Sequence, residues 1–140
     1  MILLDSDHLT VLKYRDSDRH DRLTKRLREA NEPVGTTIVN VEEQMRGWLA
    51  AIAKERRVSR QIPAYRELAG LMEFFGKLHV RSLDVVAAAQ FDELRSAGIR
   101  IGTMDLKAAC IALANDARLL TANRRDFEKV PGLRFENWLE

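Results

Sequence analysis

Three consecutive apolar residues, Ile2-Leu3-Leu4, run straight into Asp5-Ser6-Asp7 and then into Leu9, Val11 and Leu12. A continuous apolar run this short offers no polar face to solvent, so it suits a parallel strand covered on both sides. In an open parallel sheet, ligands collect in the crevice beyond the carboxyl ends of the strands. Asp5 falls at that position if Ile2 to Leu4 is a central strand. Asp and Ser are also favoured helix caps, so the same residues could do no more than begin a helix near Asp7 or His8. The stretch alone leaves both readings open.

The rest of the chain repeats the alternation. A short helix is expected from Leu9 to Tyr14, and the polar stretch Arg15 to Arg22 turns the chain. Leu23, Leu27 and Ala30 then recur at helical spacing and stop near Asn31 and Pro33. After Gly35, the β-branched run Thr36-Thr37-Ile38-Val39 reads as a second strand. The helix that follows carries Val41, Met45, Trp48, Leu49 and Ile52 on one stripe and Gly47, Ala50 and Ala51 on the other. Lys54 to Arg60 reads as a basic, solvated connection. From Ile62 onward, Tyr65, Leu68, Ala69, Met72, Phe75 and Gly76 read as a core-facing helix, not as an aromatic cofactor box. His79 to Leu83 reads as a strand, and Asp84 opens a helix that turns Ala87, Phe91 and Leu94 inward and stops at Gly98. Leu106 to Ala117 is apolar on nearly every side and should lie sandwiched against the sheet, with Asp105 at its first turn. Leu119 to Thr121, and Leu133 to Phe135 after the Pro131-Gly132 turn, complete the strands. The pattern predicts an α/β fold: one domain over residues 1–140, with a mainly parallel central sheet of about four or five strands flanked by helices.

Composition narrows the chemistry. With 140 residues, 46% apolar and 31% charged, the chain can bury a full core without staples. The single cysteine, Cys110, excludes an internal disulfide and a zinc site built on several thiolates; its apolar neighbours point to a buried, inert thiol. Asp5 and Asp7 end the opening apolar run too early for a signal peptide or a membrane span, so a soluble cytoplasmic protein is expected. A net charge of +2 permits a nucleic-acid partner without requiring one.

On this layout Asp5, Glu43, Asp105 and Asp126 each lie just beyond a strand or at a helix beginning on the same side of the sheet, so they should converge. Two carboxylates about 4 Å apart repel by roughly 4 kcal/mol at an effective dielectric of 20. A cluster must therefore take up protons or bind a cation. Hard ions such as Mg²⁺ and Mn²⁺ prefer oxygen ligands, and a metal held this way can activate water for in-line attack on a phosphodiester. Taken singly, Glu43 and Asp105 are also ordinary charges near helix N-termini, and Asp126 beside Arg124 and Arg125 also reads as a surface ion pair.

In its order and spacing of LLDSDHL, IVNVEEQMRG, IGTMDLKAACIALA, LLTANRRDFEKVPGL and a terminal NW, essentially the whole chain resembles the PIN-domain family, in particular the VapC-type toxin ribonucleases of toxin–antitoxin pairs. The resemblance implies a metal-dependent endoribonuclease whose acids hold one or two Mg²⁺ or Mn²⁺ ions at the carboxyl edge of a parallel sheet. Carried over by motif, the first three acids are Asp5, Glu43 and Asp105. The fourth position is open, because many relatives have an acid where this chain has Asn123, while others match Asp126. The resemblance also makes Asp7 and Thr121 hydrogen-bonding supports near the metal, leaves Asn123 to orient a water or ligate weakly, and offers Arg46, Lys107, Arg124 and Arg125 as contacts to RNA phosphates. It implies RNA as substrate, a small antitoxin covering the acidic cleft, a homodimer, and no membrane.

Two other readings compete. Asp5-Ser6-Asp7 is similar to the DxD of haloacid-dehalogenase-type phosphatases, but no downstream segment matches that family. An inactive PIN module that only binds RNA or protein is the alternative left open by Asn123.

Overall fold

The computed structural model describes residues 1–15 and 17–140. Its strands are β1 (Ile2–Leu4), β2 (Val34–Thr37), β3 (His79–Arg81), β4 (Arg118–Leu120) and β5 (Phe135–Glu136). They form one sheet in the order β3-β2-β1-β4-β5, and every neighbouring pair is parallel. Leu3 stands opposite Gly35 on one side and Leu119 on the other. The expected parallel α/β sheet is therefore present, with Ile2 to Leu4 at its centre.

Around the sheet lie α1 (Ser6–Lys13), α2 (Asp18–Ala30), α3 (Ile38–Lys54), α4 (Val58–Gly76), α5 (Val85–Ser96), α6 (Thr103–Ala114) and the short α7 (Arg124–Phe127). Because side chains alternate along a strand, Leu3 joins one core with Ala87, Leu94, Leu106, Ile111 and Phe127, while Ile2 and Leu4 join another with Leu9, Leu23, Leu71 and Phe75. Ile2, Leu3 and Leu4 are all wholly buried, which stabilises the fold by about 1.5–3 kcal/mol for each side chain. The expected sandwiching of the apolar helix is seen in α6, where Leu106 and the run Ala108 to Ala112 are buried. Burial also pushes the Cys110 thiol up to about 11, which makes it a poor nucleophile at neutral pH.

Several boundaries differ from the sequence expectation. The second strand is Val34–Thr37, not Thr36 to Val39, and Ile38 and Val39 are already helical. Thr37 accepts a hydrogen bond from the Asn40 backbone N–H, and this cap outweighs the β preference of the two residues after it. Likewise Asp18 to Arg22 belong to α2 rather than to a turn, because Ser17 caps the His20 N–H; Asp16 lies outside the described residues. The basic connection shrinks to Glu55 to Arg57, since α4 begins at Val58 and takes in Arg60. On α4, Leu71 and Phe75 are buried, but Ile62, Tyr65 and Met72 are exposed, so only part of that stripe is core. The strand at His79 ends at Arg81, α6 runs Thr103–Ala114 rather than Leu106 to Ala117, and the last two strands are displaced from Leu119 to Thr121 and from Leu133 to Phe135 by one to two residues.

Gly35 has no room for a side chain. A Cβ there would stand 2.0 Å from the His79 carbonyl oxygen, so β2 and β3 pair only because the residue is glycine. Gly35→Ala is expected to destabilise by at least about 1–3 kcal/mol, read as a fall in Tm. Gly70→Ala, in open space on α4, should be neutral or slightly stabilising in the same experiment.

Candidate active site at the carboxyl edge of the sheet

The sheet grows from β1 in two directions, through β2 and β3 on one side and β4 and β5 on the other. The connections leaving its carboxyl edge diverge between β1 and β4, and such a switch point opens a crevice. Asp5 is the first residue beyond β1, and Thr121 to Asp126 follow β4. Glu43 comes from the second turn of α3, and Asp105 from the first turn of α6.

Asp5 is buried, with 7% of its surface exposed. Its Oδ1 accepts from Asn40 Nδ2 at 2.8 Å and its Oδ2 from Thr121 Oγ1 at 2.7 Å. Burial raises its pKa and wins over those hydrogen bonds, with the charge of Asp7 acting in the same direction. The Asn40 amide cannot turn freely, because Thr37 Oγ1 donates to its Oδ1 at 2.6 Å. Asn40 Nδ2 also reaches Ser6 Oγ at 3.3 Å, and Ser6 in turn donates to Glu43 Oε2 at 3.0 Å. On the opposite flank, Thr121 Oγ1 accepts from the Asn123 backbone N–H at 3.0 Å, and Asn123 Nδ2 donates to Asp126 Oδ2 at 3.0 Å. A single hydrogen-bonded chain thus connects Glu43, Asp5 and Asp126.

Asp105 completes the group from across the crevice, and no side chain among the described residues hydrogen-bonds it. Its carboxyl is pushed up to about 6, first by burial and then by the negative charges of Asp5, Glu43, Asp126 and Asp7. Asp7 itself is held below the usual carboxylate range: burial opposes its charge, but hydrogen bonds from His8 and the Ala122 N–H overcome that. The four acids singled out in the sequence therefore share one electrostatic neighbourhood.

Little in the chain neutralises this charge. Among the described residues, no Lys or Arg pairs with Asp5, Glu43 or Asp105, and Asp126 has only Lys129 at 3.9 Å. Among the described residues, no three of these side chains stand close enough together to hold a metal ion as they are. The arrangement is an open crevice lined with hard oxygen donors, the donor set suited to a divalent cation. Of the basic candidates, Arg46 is paired with Glu42 at 2.6 Å, Lys107 is partly buried on α6, and Arg124 and Arg125 are exposed on α7. A cavity of about 600 Å³ between α1, α2 and α4, walled by Leu12, Lys13, His20 and Phe74, has only Glu73 as an acid among its described lining residues. It gathers none of this chemistry.

Asn40 did not stand out in the sequence reading. The available signal was Thr37-x-x-Asn40 directly after a strand, with a polar residue between Val39 and Val41 on a buried face. Ser6 was read only as a possible helix cap, and His8 was given no role although both sit in the opening motif.

The family model of the PIN domain matches residues 2–133. The chain belongs to the PIN-domain family. Nucleases of this family generally use divalent metal ions, and the oxygen donors of the crevice fit such an ion. Among curated relatives, the PIN chain is 33% identical over 69 residues to ribonuclease VapC2 of Rickettsia felis, covering 46% of this chain and 52% of that protein. It is 32% identical over 77 residues to the tRNA(fMet)-specific endonuclease VapC of Salmonella typhimurium, covering 52% of this chain and 58% of that one. The matched stretch thus spans little more than half the length of each relative. Similar solved structures include VapBC2 from Rickettsia felis bound to a promoter DNA fragment, with a TM-score of 0.74, 23% identity and coverage of 99% of both chains. DNA-bound VapBC from Salmonella typhimurium gives a TM-score of 0.75 at 22% identity, covering 98% of this chain and 97% of the other. These structural likenesses establish the fold. No helix among the described residues is long and apolar enough to cross a membrane.

Proposed function

We propose that this PIN-domain protein is a metal-dependent endoribonuclease, the toxin of a toxin–antitoxin pair, that hydrolyses RNA phosphodiester bonds with Mg²⁺ or Mn²⁺ held by Asp5, Glu43, Asp105 and Asp126. The supporting observation is Asp105: burial first, and then the charges of the other three members of the set, push its carboxyl up to about 6, and no cation from the described residues relieves the crowding. When bound, the ion would supply Lewis-acid neutralisation of the phosphate and activation of a water.

The chain's own residues prepare for this. Asn40 and Thr121 each donate to one oxygen of Asp5, and the Ser6 backbone N–H adds a further bond, which together fix the carboxylate at the crevice. Ser6 steadies Glu43, and Asn123 steadies Asp126. Arg124 and Arg125 on α7 and Lys107 on α6 are cations available to the RNA backbone, and Arg46 becomes one only by leaving Glu42. The names of the relatives and the paired proteins in the similar structures support a small antitoxin as partner. A homodimer and a cytoplasmic location belong to the same reading.

Cleavage of purified RNA should require Mn²⁺ or Mg²⁺, cease with a chelator, and return when metal is restored. Metal-independent cleavage would overturn the mechanism; RNA binding without cleavage under any metal would favour an inactive module. For the fourth acid, Asp126→Ala should weaken metal binding by about tenfold or more in a calorimetric titration. Unchanged affinity and rate would leave Asp126 as a residue of the α7 cap and nothing more.

A further inference from the structure

His8 is wholly enclosed, and both of its ring nitrogens are engaged. Nε2 lies 3.1 Å from the backbone nitrogen of Trp138, which can only donate, so Nε2 must be the unprotonated, accepting nitrogen. The ring proton is therefore on Nδ1, which lies 2.5 Å from Asp7 Oδ1. The other oxygen of Asp7 accepts from the Ala122 backbone N–H at 2.8 Å. Ala122 lies between Thr121, which donates to Asp5, and Asn123, which donates to Asp126. The residues that follow β5 are thus wired through one imidazole and one carboxylate to the loop that flanks the acidic crevice.

A histidine serving only as core filler would not need this directionality. The Trp138 side chain is itself fixed: its Nε1 donates to Glu136 at 2.6 Å, and the guanidinium groups of Arg26 and Arg118 lie 4.4 and 5.1 Å from the ring centroid. The backbone amide that selects the tautomer therefore sits on an anchored residue.

We propose that His8 is a positioning residue for the crevice: the Trp138 amide fixes its tautomer, and its Nδ1–H holds Asp7 against the Ala122 amide, which sets the loop bearing Asn123 and Asp126. The activity arm of the test rests on the nuclease reading; the structural arm does not, because it is read on metal-free protein. In ¹⁵N spectra of the wild type at pH 7.5, Nδ1 of His8 should carry the proton and Nε2 should not. A proton on Nε2 would overturn the proposal. Amide exchange then separates the two bonds. His8→Phe keeps a ring but removes both nitrogens, and should speed exchange at Trp138 and at Ala122 by tenfold or more. His8→Asn keeps a donor near the Nδ1 position, and should speed exchange at Trp138 while leaving Ala122 close to wild type. Ala122 exchange unchanged in a folded His8→Phe protein, or accelerated equally in both variants, would reduce His8 to packing. On RNA, kcat should fall about tenfold in His8→Phe with KM little changed, and recover in His8→Asn. Equal loss in both variants would sink the positioning role.

Discussion

Asp5→Asn should lower RNA cleavage by about 10³-fold or more, equivalent to about 4 kcal/mol of transition-state stabilisation, without unfolding the protein. Asp5 is the acid most deeply set in the crevice and the one on which both hydrogen-bonded flanks meet. The neutral side chain has the same shape and can still be accommodated. Its carbonyl would face Asn40, and its amide would face Thr121, whose hydroxyl turns to accept. The substitution also removes a carboxylate whose charge is disfavoured by burial, so the Tm of the metal-free variant should equal or exceed that of the wild type. A folded Asp5→Asn protein that cleaves RNA at the wild-type rate would rule out the proposed site.

Asp105→Asn should abolish metal-dependent cleavage to a similar degree and remove from the crevice a contribution to stability that falls as pH rises. The folded chain holds the Asp105 proton up to about 6, whereas the unfolded chain releases it near 3.8. Between those values the folded state binds more protons, so this residue's contribution falls as pH rises from about 4 to about 6, and above that the loss is complete. In the absence of metal, the variant should thus gain Tm over the wild type at pH 7.5 and show little gain at pH 3.5. Asp7 is shifted the other way and loses its stabilisation on acidification, which is why the difference between variant and wild type is the quantity to measure. Added Mn²⁺ should raise the Tm of the wild type at pH 7.5 and leave that of the variant almost unchanged. A Tm difference that does not vary with pH would contradict the crowding of Asp105.

The parallel sheet could be read from the sequence because its central strand carries no polar residue and each of the first four strands is followed by helical periodicity. The placement of Asp5 and Asp105 could be read for a related reason: both stand at transitions between apolar runs, where chain direction and side of the sheet are constrained together. Boundaries were less legible where a side-chain cap competes with propensity. Thr37 turns two β-branched residues into helix, and Ser17 does the same for a stretch that composition alone makes a turn. The exposure of Ile62, Tyr65 and Met72 was hidden because a stripe of apolar residues gives the angular spacing of a face, not how much of it is covered. Asn40 was hidden because its role depends on Asp5 beyond β1 and Ser6 of α1, both more than thirty residues away in the chain, and only Thr37 lies within helical spacing of it.

The direction of every bond in the chain from Glu43 to Asp126 has one further consequence. Ser6, Asn40, Thr121 and Asn123 each donate to a carboxylate oxygen of Glu43, Asp5 or Asp126, while Asp105 meets no such donor among the described residues. Asp105 still carries part of its proton near pH 6, so uptake of a cation there should be accompanied by release of hydrogen ions to the buffer, with Asp105 as one source.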